Sequence, residues 1–114
     1  MKLCHVVNLL VLLVLAAAGN AFASARPDRA ELLRRELALR EQIRQLEQRI
    51  AKAEDDRVEL LKLAAQAEAD MMLTSATIYR QQARQFEQLI RDLHAQLRQA
   101  SAELREVQRE LHGG

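Results

Sequence analysis

Glycine, proline and cysteine are missing altogether between Asp28 and His112. A stretch that long without them holds nothing that obliges a helix to break, and it offers no tight loops of the kind on which catalytic groups are usually mounted. Cysteine occurs once, at Cys4, so no disulfide can form within the chain. Aromatic residues are few, with no tryptophan, one tyrosine and two phenylalanines in 114 residues, which excludes a conventional globular core. Neither sign of charge prevails: seventeen Lys and Arg stand against sixteen Asp and Glu.

What is present begins with an export segment. Lys2 precedes an apolar stretch from Val6 to Ala18, and small residues follow, the layout of a secretory signal peptide. Small side chains three apart permit cleavage after Ala23 or after Ala25. The competing reading is an uncleaved anchor, because Leu3 to Phe22 approaches the length needed to cross a bilayer. His5, Asn8, Gly19 and Asn20 interrupt that stretch and favour cleavage. Removal of residues 1–25 takes away Cys4 and Lys2, leaving a cysteine-free product with sixteen charges of each sign. Export without disulfides suits a bacterial periplasm as well as any secretory lumen.

Beyond the leader, Ala, Leu, Arg, Glu and Gln dominate, the composition of long helices and coiled coils. Asp28 with Glu31, just after Pro27, forms an acidic capping box that starts a helix. At the far end Gly113 and Gly114 follow the last apolar position, Leu111, and are suited to a left-handed cap. Glu31 with Arg35, Glu36 with Arg40 and Glu87 with Arg91 stand in the favourable i, i+4 order, worth a few tenths of a kcal/mol each.

Apolar spacing decides the fold class, all-α. One register steps by four and three through Leu39, Ile43, Leu46, Ile50 and Ala53. The other runs Met72, Ala76, Tyr79, Ala83, Phe86, Ile90, Leu93, Leu97, Ala100, Leu104, Val107, Leu111. This is the 3.5-residue period of a coiled-coil seam. The helix-pairing residues are thus Leu39, Ile43, Leu46, Ile50, Phe86, Ile90, Leu93, Leu97, Leu104, Val107 and Leu111. The two registers do not join in phase, because continuing the first through Arg57, Leu60, Ala64 and Ala67 reaches Met71, one residue before Met72. The pattern predicts a continuous coiled-coil helix from about 28 to 112, its supercoil locally unwound by a slip between residues 57 and 76. Its length would be about 125 Å. The close alternative is a helical hairpin turning near Leu73-Thr74-Ser75, and a second possible break is Asp55-Asp56, where Asp56 with Glu59 repeats the capping pattern. A lone rod leaves its stripe in water, so self-association is expected, with a dimer favoured by Ile at a and Leu at d in the first register.

Other chemistry is weakly represented. Glu54, Asp55, Asp56 and Glu59 form an acidic knot without the spacing or glycine of a calcium loop, and read as a solvated face. His94 and His112 are too far apart on one helix to share a metal, and no cofactor motif is present. Met71 and Met72 read as flexible filler where packing is irregular, and Tyr79 and Phe86 as seam residues. Ser24, Ser75 and Ser101 have no histidine and carboxylate placed for nucleophilic catalysis, so no enzyme activity, metal or cofactor is expected. Arginines interleaved with Glu and Gln argue against nucleic-acid binding.

These features predict an exported coiled-coil protein, periplasmic in a bacterium, that acts as a structural or adaptor element. Its partners would be itself or another helical envelope protein, as in secretion or conjugation assemblies. With the leader retained, the layout resembles that of phage inner-membrane spanins, which implies an inner-membrane anchor and a rod crossing the periplasm. A small periplasmic chaperone or stress sensor, offering an apolar helical groove to clients, is the third expectation.

Overall fold

A computed structural model describes residues 28–113. The expected signal peptide, with Cys4 and the cleavage positions after Ala23 or Ala25, lies outside the described residues, as does Gly114. Two helices account for nearly all of what is described: α1, Arg29–Ala69, and α2, Leu73–Gly113, each of 41 residues. They fold back on one another as an extended antiparallel hairpin, with no strand among the described residues. Each arm is about 60 Å long at 1.5 Å per residue. The fold is therefore the hairpin rather than the continuous rod, and the chain reverses at Asp70–Met72 instead of at 73–75.

Asp28 caps α1 as its sequence context predicts, since its carboxylate accepts the Glu31 N–H at 2.7 Å and its carbonyl accepts the Leu32 N–H at 3.0 Å. The helix then runs through Asp55-Asp56 without interruption. Its far end is closed by a Schellman arrangement: the Met72 N–H donates to the Ala67 carbonyl at 2.7 Å, and the Met71 N–H to the Glu68 carbonyl at 3.1 Å. That geometry needs a left-handed residue, and Met71 supplies it with φ 60°. The next helix begins at once, for the Ala76 N–H donates to the Met72 carbonyl at 3.0 Å. Gly113, by contrast, has no left-handed φ and stays within α2, while Gly114, the other glycine suited to a cap, lies outside the described residues.

The seam explains why the chain folds back on itself. Along α1, Leu32, Glu36, Leu39, Ile43, Leu46, Ile50, Ala53, Arg57, Leu60, Ala64 and Ala67 are buried or half-buried in an unbroken alternation of four and three, with half-buried Glu31 and Asp56 flanking them. The first register thus continues to the turn. The second occupies α2 from Ala76 to Leu111. The two are out of phase because they belong to different helices, and the mismatch falls at the turn.

Residues equidistant from the turn meet across the seam. Leu32 and Leu39 cluster with Leu104, Val107 and Leu111 at the open end, while Leu46, Ile50 and Ala53 cluster with Phe86, Ile90, Leu93, Leu97 and Ala100 in the middle. Next to the turn the buried residues are all alanine: Ala64, Ala67, Ala76 and Ala83. A three-residue connection can join only helices that lie close together, and helix separation follows the size of the side chains between them. Alanine makes the turn possible.

Met71 is 79 % exposed, so its side chain contributes little packing to set against the roughly 1–2 kcal/mol that a left-handed L-residue costs. Replacing it tests the strain directly. Met71→Gly is expected to raise the unfolding free energy by about 1 kcal/mol, and the β-branched Met71→Val to lower it, in chemical denaturation monitored by circular dichroism.

Candidate interaction surfaces

All eleven helix-pairing residues lie in the interface between α1 and α2. Leu39, Leu46, Ile50, Leu93, Val107 and Leu111 are buried; Ile43, Phe86, Ile90, Leu97 and Leu104 are half-buried and packed against them. The apolar stripe is covered by the chain's own second arm. Any partner must therefore approach the outer surfaces.

Those surfaces form two long sides, one on each flank of the seam. The first is marked by ion pairs across the helices, Arg80 with Glu68 near the turn and Arg57 Nη1 with Glu87 Oε1 at 3.8 Å. On the second side Arg35 and Gln42 of α1 border an open groove with Glu103, Glu106 and Glu110 of α2. Nearer the turn, Asp56, Glu59 and Leu63 border another with Gln82 and Gln85. At the open end Arg29 Nη1 donates to the Leu111 carbonyl at 3.5 Å. Glu36 and Arg40 pair at 3.8 Å along α1, whereas Glu87, expected to pair with Arg91, pairs instead with Arg57 of the other arm.

Charge is sorted between these sides. Arg84, Arg91, Arg98 and Arg105 recur at seven-residue intervals on α2, all exposed, on the flank that carries Arg80 and Glu87. Asp92, Glu103, Glu106 and Glu110 lie on the opposite flank of the same helix. Reading the arginines as interleaved with acids along the chain missed this separation. The seven-residue spacing was the available signal, since one heptad returns a side chain to the same flank.

The remaining candidates are dispersed. Glu54, Asp55, Asp56 and Glu59 point in different directions around α1, and Asp56 accepts from Lys52 Nζ at 3.2 Å. No group of three or more metal-ligating side chains comes together among the described residues. His94 and His112 are both exposed, with about 27 Å of helix between them. Ser101 stands one heptad beyond His94, about 10 Å along the axis. Met71 and Met72 do not fill irregular packing, for they project from the turn 79 % and 56 % exposed beside exposed Leu73. Phe86 packs against the central cluster and Tyr79 is half-buried in the seam. The hydrogen bond from Arg44 Nε to Glu41 Oε2, 2.9 Å, holds the Glu41 carboxylate below its ordinary range and raises the guanidinium. Both groups are exposed, so their ion pair does little for stability at any pH.

No helix among the described residues is long and apolar enough to cross a membrane. The chain matches no known family model, no curated protein and no solved structure.

Two packing predictions follow from the seam. Leu93, 1 % exposed, is the largest fully buried side chain, and Leu93→Ala should cost about 2–5 kcal/mol in thermal or denaturant unfolding. Ala83→Leu should force the arms apart beside the turn at a cost of about 1–3 kcal/mol, whereas Leu at exposed Ala95 should change stability by less than about 0.5 kcal/mol.

Proposed function

We propose that the chain is an exported structural or adaptor element that works by helix–helix association, with another copy of itself or with a second helical protein of the cell envelope. One observation carries this reading: the apolar seam is consumed within the hairpin, so the surface left for work is a pair of unbroken, mostly polar helical flanks about 60 Å long. Such flanks recognise extended partners through many weak contacts, and their charges set orientation and choice of partner. The concavities along them are open grooves between the two arms, better matched to another helix than to a small molecule held away from water.

The exposed apolar residues around the turn, Met71, Met72, Leu73 and Ile78, support a second reading as a small chaperone that offers its tip to clients. Replacement of Met71, Met72 and Leu73 by serine separates the two. Loss of aggregation suppression in that variant would favour the chaperone, and retention of self-association would favour the structural element.

Two measurements test the main proposal. Intact mass of the chain recovered from an expressing bacterium should give a start at Ser24 or Arg26, in the periplasmic fraction. An intact Met1 in the membrane fraction would replace that location with the spanin-like tether. Sedimentation equilibrium should then show mass rising with concentration, or in situ cross-linking should join the chain to one helical envelope protein. A chain that remains monomeric at millimolar concentration and forms no such cross-link would overturn the proposal.

A further inference from the structure

The hairpin's charge is divided across its width. The first side carries the arginine row of α2, and the exposed acids that α1 adds there, Glu47 and Glu54, are fewer than the arginines. Glu68 and Glu87 on that side are already engaged by Arg80 and Arg57. On the second side Glu103 and Glu110 stand one heptad apart with Glu106 between them, and Glu59 and Asp92 continue the acidic character toward the turn. The counter-charges there are Arg35, which borders the Glu103 groove, Arg49, and Lys52, which is held by Asp56 at 3.2 Å, while Arg109 is held by Glu106 at 2.6 Å; the acids outnumber them. The arginine row from Arg84 to Arg105 covers about 31 Å of helix, and the acidic row from Asp92 to Glu110 about 27 Å.

We propose that the first side of one hairpin packs against the second side of another copy, arginine row to acidic row. This rests on the reading of the chain as a self-associating element and names the surfaces that would carry it. A two-fold pairing of like sides that lays α2 on α2 would set Arg91 and Arg98 against a second set of the same arginines, which repel, and one that lays α2 on α1 would offer the row only Glu47 and Glu54. Unlike sides attract, and because they belong to one chain the contact is head-to-tail in the sense that it does not close on itself. Successive hairpins therefore build a ribbon or a ring. A polyanion such as an anionic lipid surface would use only the arginine row and would meet Glu47 and Glu54 beside it. A second copy uses both rows, which is why the observations favour it.

The test uses two charge-reversed forms of the full chain, Arg91→Glu with Arg98→Glu, and Glu103→Arg with Glu110→Arg. All four positions are exposed, and circular dichroism checks that helix content is unchanged. Sedimentation equilibrium of the unaltered chain should show association that weakens by about tenfold between 0.05 and 0.5 M sodium chloride. Each reversed form alone should be monomeric, and an equimolar mixture of the two should associate again, since the reversed rows complement each other. Association indifferent to salt and to both reversals would overturn the inference while leaving self-association through another surface intact. Reversed forms that stay monomeric when mixed would also overturn it. Absence of association in the unaltered chain, with Arg91- and Arg98-dependent binding to phosphatidylglycerol vesicles, would assign the arginine row to an anionic surface and refute both the inference and self-association.

Discussion

Burial of the α1 stripe against the α2 stripe is the contact on which everything else in the described chain depends. A 41-residue helix of this composition has good intrinsic propensity, yet a wide apolar stripe left in water makes it marginal. Folding the chain back on itself removes the stripe from water without waiting for a second molecule, so the cost of bringing the arms together is only that of closing a short connection. The seam then fixes where the rest of the surface can be. Glu36 and Arg57 stand in the seam, and the other charged residues of the described chain are pushed to one of the two sides or to the outer backs of the helices.

The turn shows how local strain is tolerated when the surrounding contacts over-determine it. A Schellman closure ordinarily places glycine at the left-handed position, and here methionine occupies it. The paired alanines beside it hold the arms close enough that no longer loop is required, and Arg80 with Glu68 ties the arms together just beyond. Arg57 adds a further restraint. Its place in the seam is costly for an arginine, but its guanidinium reaches Glu87 across the interface. A slip by one heptad would part that pair and lengthen the turn together, so register and turn length support one another.

Much of this was legible in the sequence, and the part that was not has a definite physical origin. The seam positions from Leu39 to Ile50 and from Phe86 to Leu111 follow from spacing alone, and so does the Asp28 cap. A heptad pattern states that a helix must pair, but it is silent on whether the partner is the same chain or another. That is why a rod with a slip and a hairpin fitted the same residues. Two features could have decided it: the first register does not fade after Ala53 but runs on to Ala67, and the buried residues nearest the turn, Ala67 and Ala76, are both alanine and lie equally far from Met71–Met72. Small residues facing one another at equal distances from a point are what a tight hairpin demands and what a rod has no reason to possess. The turn itself was hidden because its left-handed residue is a methionine, whereas Gly113, which looked like such a residue, stays helical.

The outer surface carries a similar lesson about averages. Counted along the sequence, the sixteen basic and sixteen acidic residues beyond position 25 cancel, and nearest neighbours are often of opposite sign. A coiled helix does not present its residues in that order, however, since residues seven apart share a flank and adjacent residues are about 100° apart. Arg84, Arg91, Arg98 and Arg105 therefore add on one side while Glu103, Glu106 and Glu110 add on the other, and a nearly neutral chain acquires a transverse polarity. Net neutrality suppresses long-range repulsion between copies, and transverse polarity leaves a short-range preference for unlike sides. In the side-to-side pairing proposed above, those two properties direct contact toward unlike sides rather than like ones.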